Sequence, residues 1–212
     1  MTTMSRLSLP DRRAQLAESA LALAERRGLA AVTVRAVAEE AGVSLGVVHY
    51  CFEDKEELVA AMIERIIAEA LDVLLGSIDT TQQGTGLDAL SATLDSTLSS
   101  LFHTVAQIPN RWLLVQESML FSLRQPDESA SADQARQQQG FAEKFGYAYL
   151  VEMGQRTQTS WNGDEKKIAR VALQTIFGTF QWWLIDRDDE AALKSLAYLG
   201  EWIAGTAQPA SA

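Results

Sequence analysis

Apolar residues recur at helical spacing along nearly the whole chain. Leu16, Ala20, Leu23 and Ala24 line one face of a first helix over residues 10–27, and Gly28 stops it. Thr33 caps a short second helix over residues 34–41, ended by Gly42, and Ser44 caps a third from Leu45 to about Cys51. Asp54 caps a long fourth helix from Lys55 to about Ile78, with Glu57 at the capping-box position. Along it Leu58, Met62, Ile66, Ala70 and Leu74 recur every four residues. The loose stretch 79–86 separates it from a fifth helix over residues 87–107, and Pro109 opens a sixth that runs to about Leu123. Residues 125–140 are polar and read as a mobile loop that turns helical towards its end. A seventh helix reaches about Ser160, an eighth spans 165–185, and a ninth follows the turn at 186–189 and ends near Ala204. No alternation of polar and apolar residues runs long enough for a sheet, and no internal repeat is visible. The ends, residues 1–9 and 207–212, have nothing obvious to hold them and are expected to fray. The pattern predicts an all-α protein of about nine helices.

Composition narrows the function. The chain has 212 residues, 47% hydrophobic and 22% charged, enough apolar surface to offset the entropy of ordering it. Its longest apolar stretch, Ile176 to Ile185, is about half a membrane span. The first thirty residues lack the apolar core of a signal peptide, and the lone Cys51 has no internal partner, so a reducing cytoplasm is expected. Net charge is −10, which by itself opposes a nucleic-acid partner. The charge is uneven, however: residues 1–53 hold six Arg against six acids, and the rest holds twelve bases against twenty-two acids. A small DNA-reading head on an acidic body fits this distribution.

Enzyme chemistry finds no foothold. The two histidines, His49 and His103, lie on different helices, and HExxH, GxSxG, CxxC and a phosphate-cradling glycine loop are all missing. No metal-ligand cluster is visible, so neither a catalytic residue, a metal nor a cofactor is expected. A helical adaptor without DNA activity is the other alternative; the acidity favours it and the spacing of residues 33–58 opposes it.

That segment reads TVRAVAEEAGVSLGVVHYCFEDKEEL. A capped helix, a Gly-containing turn, a second capped short helix and a charged turn into a long helix make a helix-turn-helix, which lets its second helix enter a major groove. Val34, Val37, Ala38, Val43 and Val48 are its packing residues. Ala38, Ala41, Gly42, Val43, Ser44, Gly46, Phe52, Lys55 and Leu58 fall on the pattern of the TetR/AcrR family of bacterial transcriptional regulators, which this segment closely resembles. One departure stands out: His49 occupies the family's usual tyrosine position, and Tyr50 follows it. The resemblance implies a three-helix DNA-binding domain over residues 1–54, with its motif at about 33–52, and a larger helical ligand-binding and dimerisation domain over 55–212. It also implies the roles of single residues. Thr33 and Ser44 offer hydroxyls to phosphate, Arg35 reaches backbone or an adjacent groove, and Leu45, Gly46 and Val47 face base edges. His49 and Tyr50 touch phosphate or base, and Lys55 pairs with phosphate.

Three-helix heads usually act in pairs on two-fold-related DNA. Helix eight is apolar almost all round, with Ile168, Val171, Ala172, Thr175, Ile176, Thr179 and Trp183 on one side and Gly178 open to close approach. Helix nine carries Leu193, Leu196, Gly200 and Ile203 at spacings of three and four. The resemblance implies that these two helices form a homodimer. It further implies a small organic effector, held by helices four to eight, that releases a repressor from a palindromic operator. Candidate lining residues are Leu101, Trp112, Met119, Phe121, Phe141, Phe145, Tyr149, Phe177 and Phe180, with His103, Gln116 and Glu117 as polar handles. Double-stranded DNA, the effector and a second copy are thus the expected partners, without a membrane.

Overall fold

The computed structural model describes residues 7–81, 84–124 and 130–210. The elements in chain order are α1 (Leu9–Arg27), a 3-10 turn (Leu29–Ala31), α2 (Val34–Ala41), α3 (Leu45–Cys51), α4 (Lys55–Thr81), α5 (Leu87–Gln107), α6 (Pro109–Leu123) and α7 (Ala130–Thr157). β1 (Thr159–Trp161), α8 (Glu165–Asp186), α9 (Asp189–Gly205) and β2 (Ala207–Pro209) complete the chain. The fold is all-α, with nine helices among the described residues and one two-stranded sheet.

By packing the chain falls into two compact units, Met1–Ala68 with Asn110–Ala135, and Glu69–Pro109 with Arg136–Ala212. In the first, α1, α2 and α3 pack on one another. Leu16, Leu21, Val37, Val48, Phe52, Leu58, Met62 and Ile63 are buried there. Ser8 caps α1 by accepting from Asp11 N at 3.3 Å, so Leu9 is helical rather than frayed. Gly42 ends α2 in the left-handed region, φ +66°, which a residue without Cβ adopts freely. The fourth helix is capped as its sequence predicts, Asp54 Oδ1 accepting from Glu57 N at 2.8 Å. The returning Glu57 carboxylate reaches one residue further back, to Glu53 N at 2.7 Å. From α6, Arg111 pairs with Glu25 of α1 at 2.7 Å.

The second unit packs α5 against α9 and α9 against α8. Leu90, Leu94, Leu98, Phe102, Phe180, Trp183, Leu196, Leu199 and Ile203 are buried in it. Phe102 meets Trp183 edge to face at 5.6 Å and lies 6.5 Å from Phe180, an aromatic cluster at fixed geometry. A Cβ on Gly200 would touch Leu98 Cδ1 at 3.5 Å, and one on Gly146 would touch Leu173 Cδ1 at 3.4 Å, so helices approach closely at both.

Two expectations are corrected. Residues 207–209 do not fray: β2 pairs antiparallel with β1, Ser160 opposite Gln208, and Asn162 N donates to Thr206 O at 2.7 Å. Strands of three residues carry no alternation to read, and their partners lie far apart in sequence. The polar segment 125–140 is also helical from Ala130 onward, where α7 begins. Residues 125–129 of that expected loop lie outside the described residues, as do 1–6 and 211–212 of the two ends.

Candidate nucleic-acid interface

The seven residues of α3 divide sharply by exposure. Val48 and Cys51 are buried, at 0% and 4%, and anchor the helix to the head. Ser44, at the N-cap position, and Leu45, Gly46, His49 and Tyr50 are exposed, and Val47 is half-buried. Tyr50 is 77% exposed and Leu45 45%, apolar surface that the head itself leaves uncovered. Gly46 sits in open space, a Cβ there meeting only Ser44 Oγ at 3.9 Å, so a partner can approach the backbone closely.

Around α3 the other candidates also reach solvent or its edge. Thr33 Oγ1 accepts from Ala36 N at 3.1 Å while its side chain stays exposed, so the hydroxyl proton remains for an acceptor outside. Ser44 makes no capping bond, unlike Thr33. Arg35 is exposed and pairs with Glu39 through Nε at 3.1 Å, and Lys55 is half-buried in the first turn of α4. Two helix amino ends, those of α2 and α3, carry the exposed hydroxyls; such ends favour phosphate through unpaired N–H groups and the helix dipole. Of the expected packing residues, Val37, Ala38 and Val48 are buried and Val34 and Val43 half-buried.

The carboxyl end of α3 is held by a residue that no sequence spacing singles out. Arg13 of α1 donates through Nη1 to Cys51 O and through Nη2 to Glu57 Oε1 at 2.7 Å, with its guanidinium 4.3 Å over the Phe52 ring. Its hydrogen-bond partners lie 38 and 44 positions away, beyond any local periodicity. The backbone N–H of Glu53, followed by Arg13, holds the Glu57 carboxyl below its usual range despite partial burial. Burial, only partly offset by Arg13 and Arg12, pushes the Cys51 thiol up, away from the reactive thiolate.

The candidate effector residues divide between the units. Trp112, Gln116, Glu117, Met119 and Phe121 belong to the first, where Trp112 is buried, Gln116 and Glu117 are half-buried, and Met119 and Phe121 are exposed. Leu101, His103, Phe141, Phe145, Tyr149, Phe177 and Phe180 belong to the second. There Leu101 and Phe180 are buried, Phe145, Tyr149 and Phe177 half-buried, and His103 and Phe141 exposed. The ring of His103 rests edge-on against Phe102 at 5.6 Å. Burial pushes the Tyr149 phenol up to about 12, with the Thr97 hydroxyl lowering it in part. It stays neutral at any physiological pH.

Helices α8 and α9 present apolar surface of their own. Val171, Trp182 and Ile185 on α8 and Tyr198 and Trp202 on α9 are exposed, and a Cβ on Gly178 would meet nothing within 4 Å. On α9 the stripe read from the sequence faces inward instead: Leu196, Gly200 and Ile203 are buried, and Leu193 is half-buried. Tyr198 and Trp202, one turn apart, lie outside that stripe, on the exposed side of α9 beside Lys194 and Glu201. Among the described residues, no three His, Cys, Asp or Glu side chains are grouped to hold a metal ion, and no helix is long and apolar enough to cross a membrane.

A three-helix head that turns the outer face of its third helix to solvent, with two exposed hydroxyls at helix amino ends, defines a helix-turn-helix DNA-binding protein. Residues 16–62, from within α1 to the first turns of α4, match the family model described as bacterial regulatory proteins, tetR family. Residues 16–62 thus carry the amino-terminal domain of that family, whose members are DNA-binding regulators rather than enzymes. Solved structures share the fold over nearly the whole length. A TetR-family regulator from Rhodococcus sp. has a TM-score of 0.73 at 19% identity, over 92% of this chain and 99% of its own. The multidrug binding protein EbrR, complexed with imidazole, has a TM-score of 0.64 at 21% identity, over 90% of each chain. The fatty acid degradation regulator FadR from Bacillus halodurans has a TM-score of 0.65 at 13% identity, over 95% of this chain and 97% of its own. No curated protein matches the chain significantly.

Proposed function

We propose that the chain is a cytoplasmic, ligand-responsive repressor that binds a palindromic operator as a homodimer and is released by a small organic effector. The observation that carries the DNA contacts is the uncovered outer face of α3, held to the head by Val48 and Cys51 alone of its seven residues. Leu45, Gly46 and Val47 would meet base edges, and thymine methyls suit Leu45 and Val47 because these side chains offer no hydrogen bond. Thr33, Arg35, Ser44, His49, Tyr50 and Lys55 would hold phosphate or the groove edge and so set the register.

Function then divides at about residue 54, with DNA reading before it and effector binding and dimerisation after it. The exposed apolar residues of α8 and α9, with open space at Gly178, support pairing through those helices. The imidazole held by EbrR supports a small organic effector for the fold. Within the second unit Leu101, Phe145, Phe177 and Phe180, with His103 and Tyr149 as polar groups, suit an apolar molecule bearing few polar atoms. Release is a population shift. A dimer holding its two recognition helices ~34–36 Å apart fits successive major grooves. An effector that prefers another separation by ~1–3 kcal/mol gives a graded response. Helix α4 contributes residues to both units and is the natural carrier of that signal.

The test is selection of a binding site from randomised duplexes by the full chain, followed by sedimentation with and without the enriched duplex. Enrichment of a two-fold-symmetric sequence bound by two chains is the expected result. An unenriched pool, or a single chain on a single half-site, would overturn the reading.

A further inference from the structure

We infer that Arg13 is a positioning residue for DNA recognition: it locks the angle of α3 between α1 and α4 without touching DNA itself. The inference rests on the DNA-binding reading above and deepens it. Three contacts converge on one guanidinium. Nη1 donates to Cys51 O, one of the carbonyls that the end of α3 leaves without an intrahelical partner. Nη2 pairs with Glu57 Oε1 at 2.7 Å, and the planar face covers the Phe52 ring at 4.3 Å. Glu57 closes the circuit through its other oxygen, which accepts from Glu53 N at 2.7 Å. One connected path thus runs from α1 through the last residue of α3 and the turn at 52–54 to the first turn of α4.

Such a path matters because α3 is only seven residues long and has two buried anchors, Val48 and Cys51. A short rod with two anchors at spacing three can still pivot about them. The Arg13 fork restrains the end of that rod from a second direction, and a cation there also suits the helix dipole. Both terminal nitrogens and one face of the guanidinium are engaged inside the head, which leaves Arg13 poorly placed to reach phosphate as Lys55 is expected to do. Base-edge contacts need the helix angle held closely, whereas phosphate contacts tolerate small rotations.

The test uses the full chain and the variants Arg13→Gln, Arg13→Lys and Glu57→Gln. Each is measured below its unfolding transition on the duplex selected by the wild-type chain and on a scrambled duplex of equal length. Arg13→Gln is expected to lose about tenfold in affinity for the selected duplex, the size of one charge-assisted hydrogen bond, and less than about twofold for the scrambled one. The salt dependence of binding should keep its slope, because no phosphate contact is removed. Arg13→Lys keeps the charge but cannot fork or stack and should fall between; Glu57→Gln should reproduce the pattern in milder form. Hydrogen exchange on the DNA-free protein provides a second readout: amides of residues 48–52 should exchange faster in Arg13→Gln while those of α5 do not change.

Equal losses on both duplexes would reduce Arg13 to a general structural role and overturn the inference. A slope lower by about one unit would make it a phosphate contact and overturn it as well. Unchanged exchange at residues 48–52 would do the same even if selection yields no site, an outcome that separately defeats the DNA-binding reading.

Discussion

Replacing Gly46 by alanine separates what the head needs in order to fold from what α3 needs in order to bind. Within the chain a Cβ at this position meets only Ser44 Oγ, at 3.9 Å, so no packing resists it. Gly46 lies in the first turn of α3, and alanine is favoured over glycine by about 1 kcal/mol in a helix interior and by less near its end. The head should therefore gain about 0.5 kcal/mol. On DNA the sign reverses. An extra methyl forced into a close-packed contact costs about 1–3 kcal/mol, which is roughly 5- to 150-fold in affinity for each head. In a dimer the penalty enters twice. The assay pairs urea denaturation, followed by helical circular dichroism, with titration of a labelled selected duplex. Tighter or equal binding by a more stable variant would refute the placement of Gly46 against the duplex.

Lys55→Ala should weaken binding to every sequence alike and flatten the salt dependence by about one unit, as measured by titration at several ionic strengths. Phe102→Ala empties the centre of the Phe102, Phe180 and Trp183 cluster and should cost about 3–5 kcal/mol in denaturation of the second unit, followed by tryptophan fluorescence. The Glu57 carboxyl titrates below its ordinary range in the fold, so its stabilisation is fully present above the unfolded value and is lost as pH falls through the folded one. The stability difference between wild type and Glu57→Gln should therefore shrink in acid; a difference constant into strongly acidic solution would oppose the assignment. In an alkaline spectrophotometric titration one tyrosine should ionise late, at about 12, and Tyr149→Phe should remove that step.

The helix-turn-helix was legible because its signals are local. Caps at Thr33 and Asp54, the left-handed Gly42 and the burial of Val37, Ala38 and Val48 each depend on neighbours within a few residues. The same locality explains what was missed. Arg13 contacts residues on two other elements, and β1 finds its partner only at the end of the chain. On α9, a stripe at spacings of three and four correctly marks one face of a helix. It does not say which neighbour that face meets, and Leu196, Gly200 and Ile203 prove to be buried within the chain.

Taken by itself, the order of residues determined the succession of helices, their starts and stops, and the motif at 33–58, since hydrogen bonding over three or four positions and apolar periodicity are properties of short segments. Only the tertiary structure decided which apolar faces stay open, at Leu45 and Tyr50, Trp182 and Ile185, Tyr198 and Trp202. It also decided that a guanidinium on α1 restrains the far end of α3. Burial is shared between segments distant in sequence, so exposure at any one position is settled by what the rest of the chain brings to it.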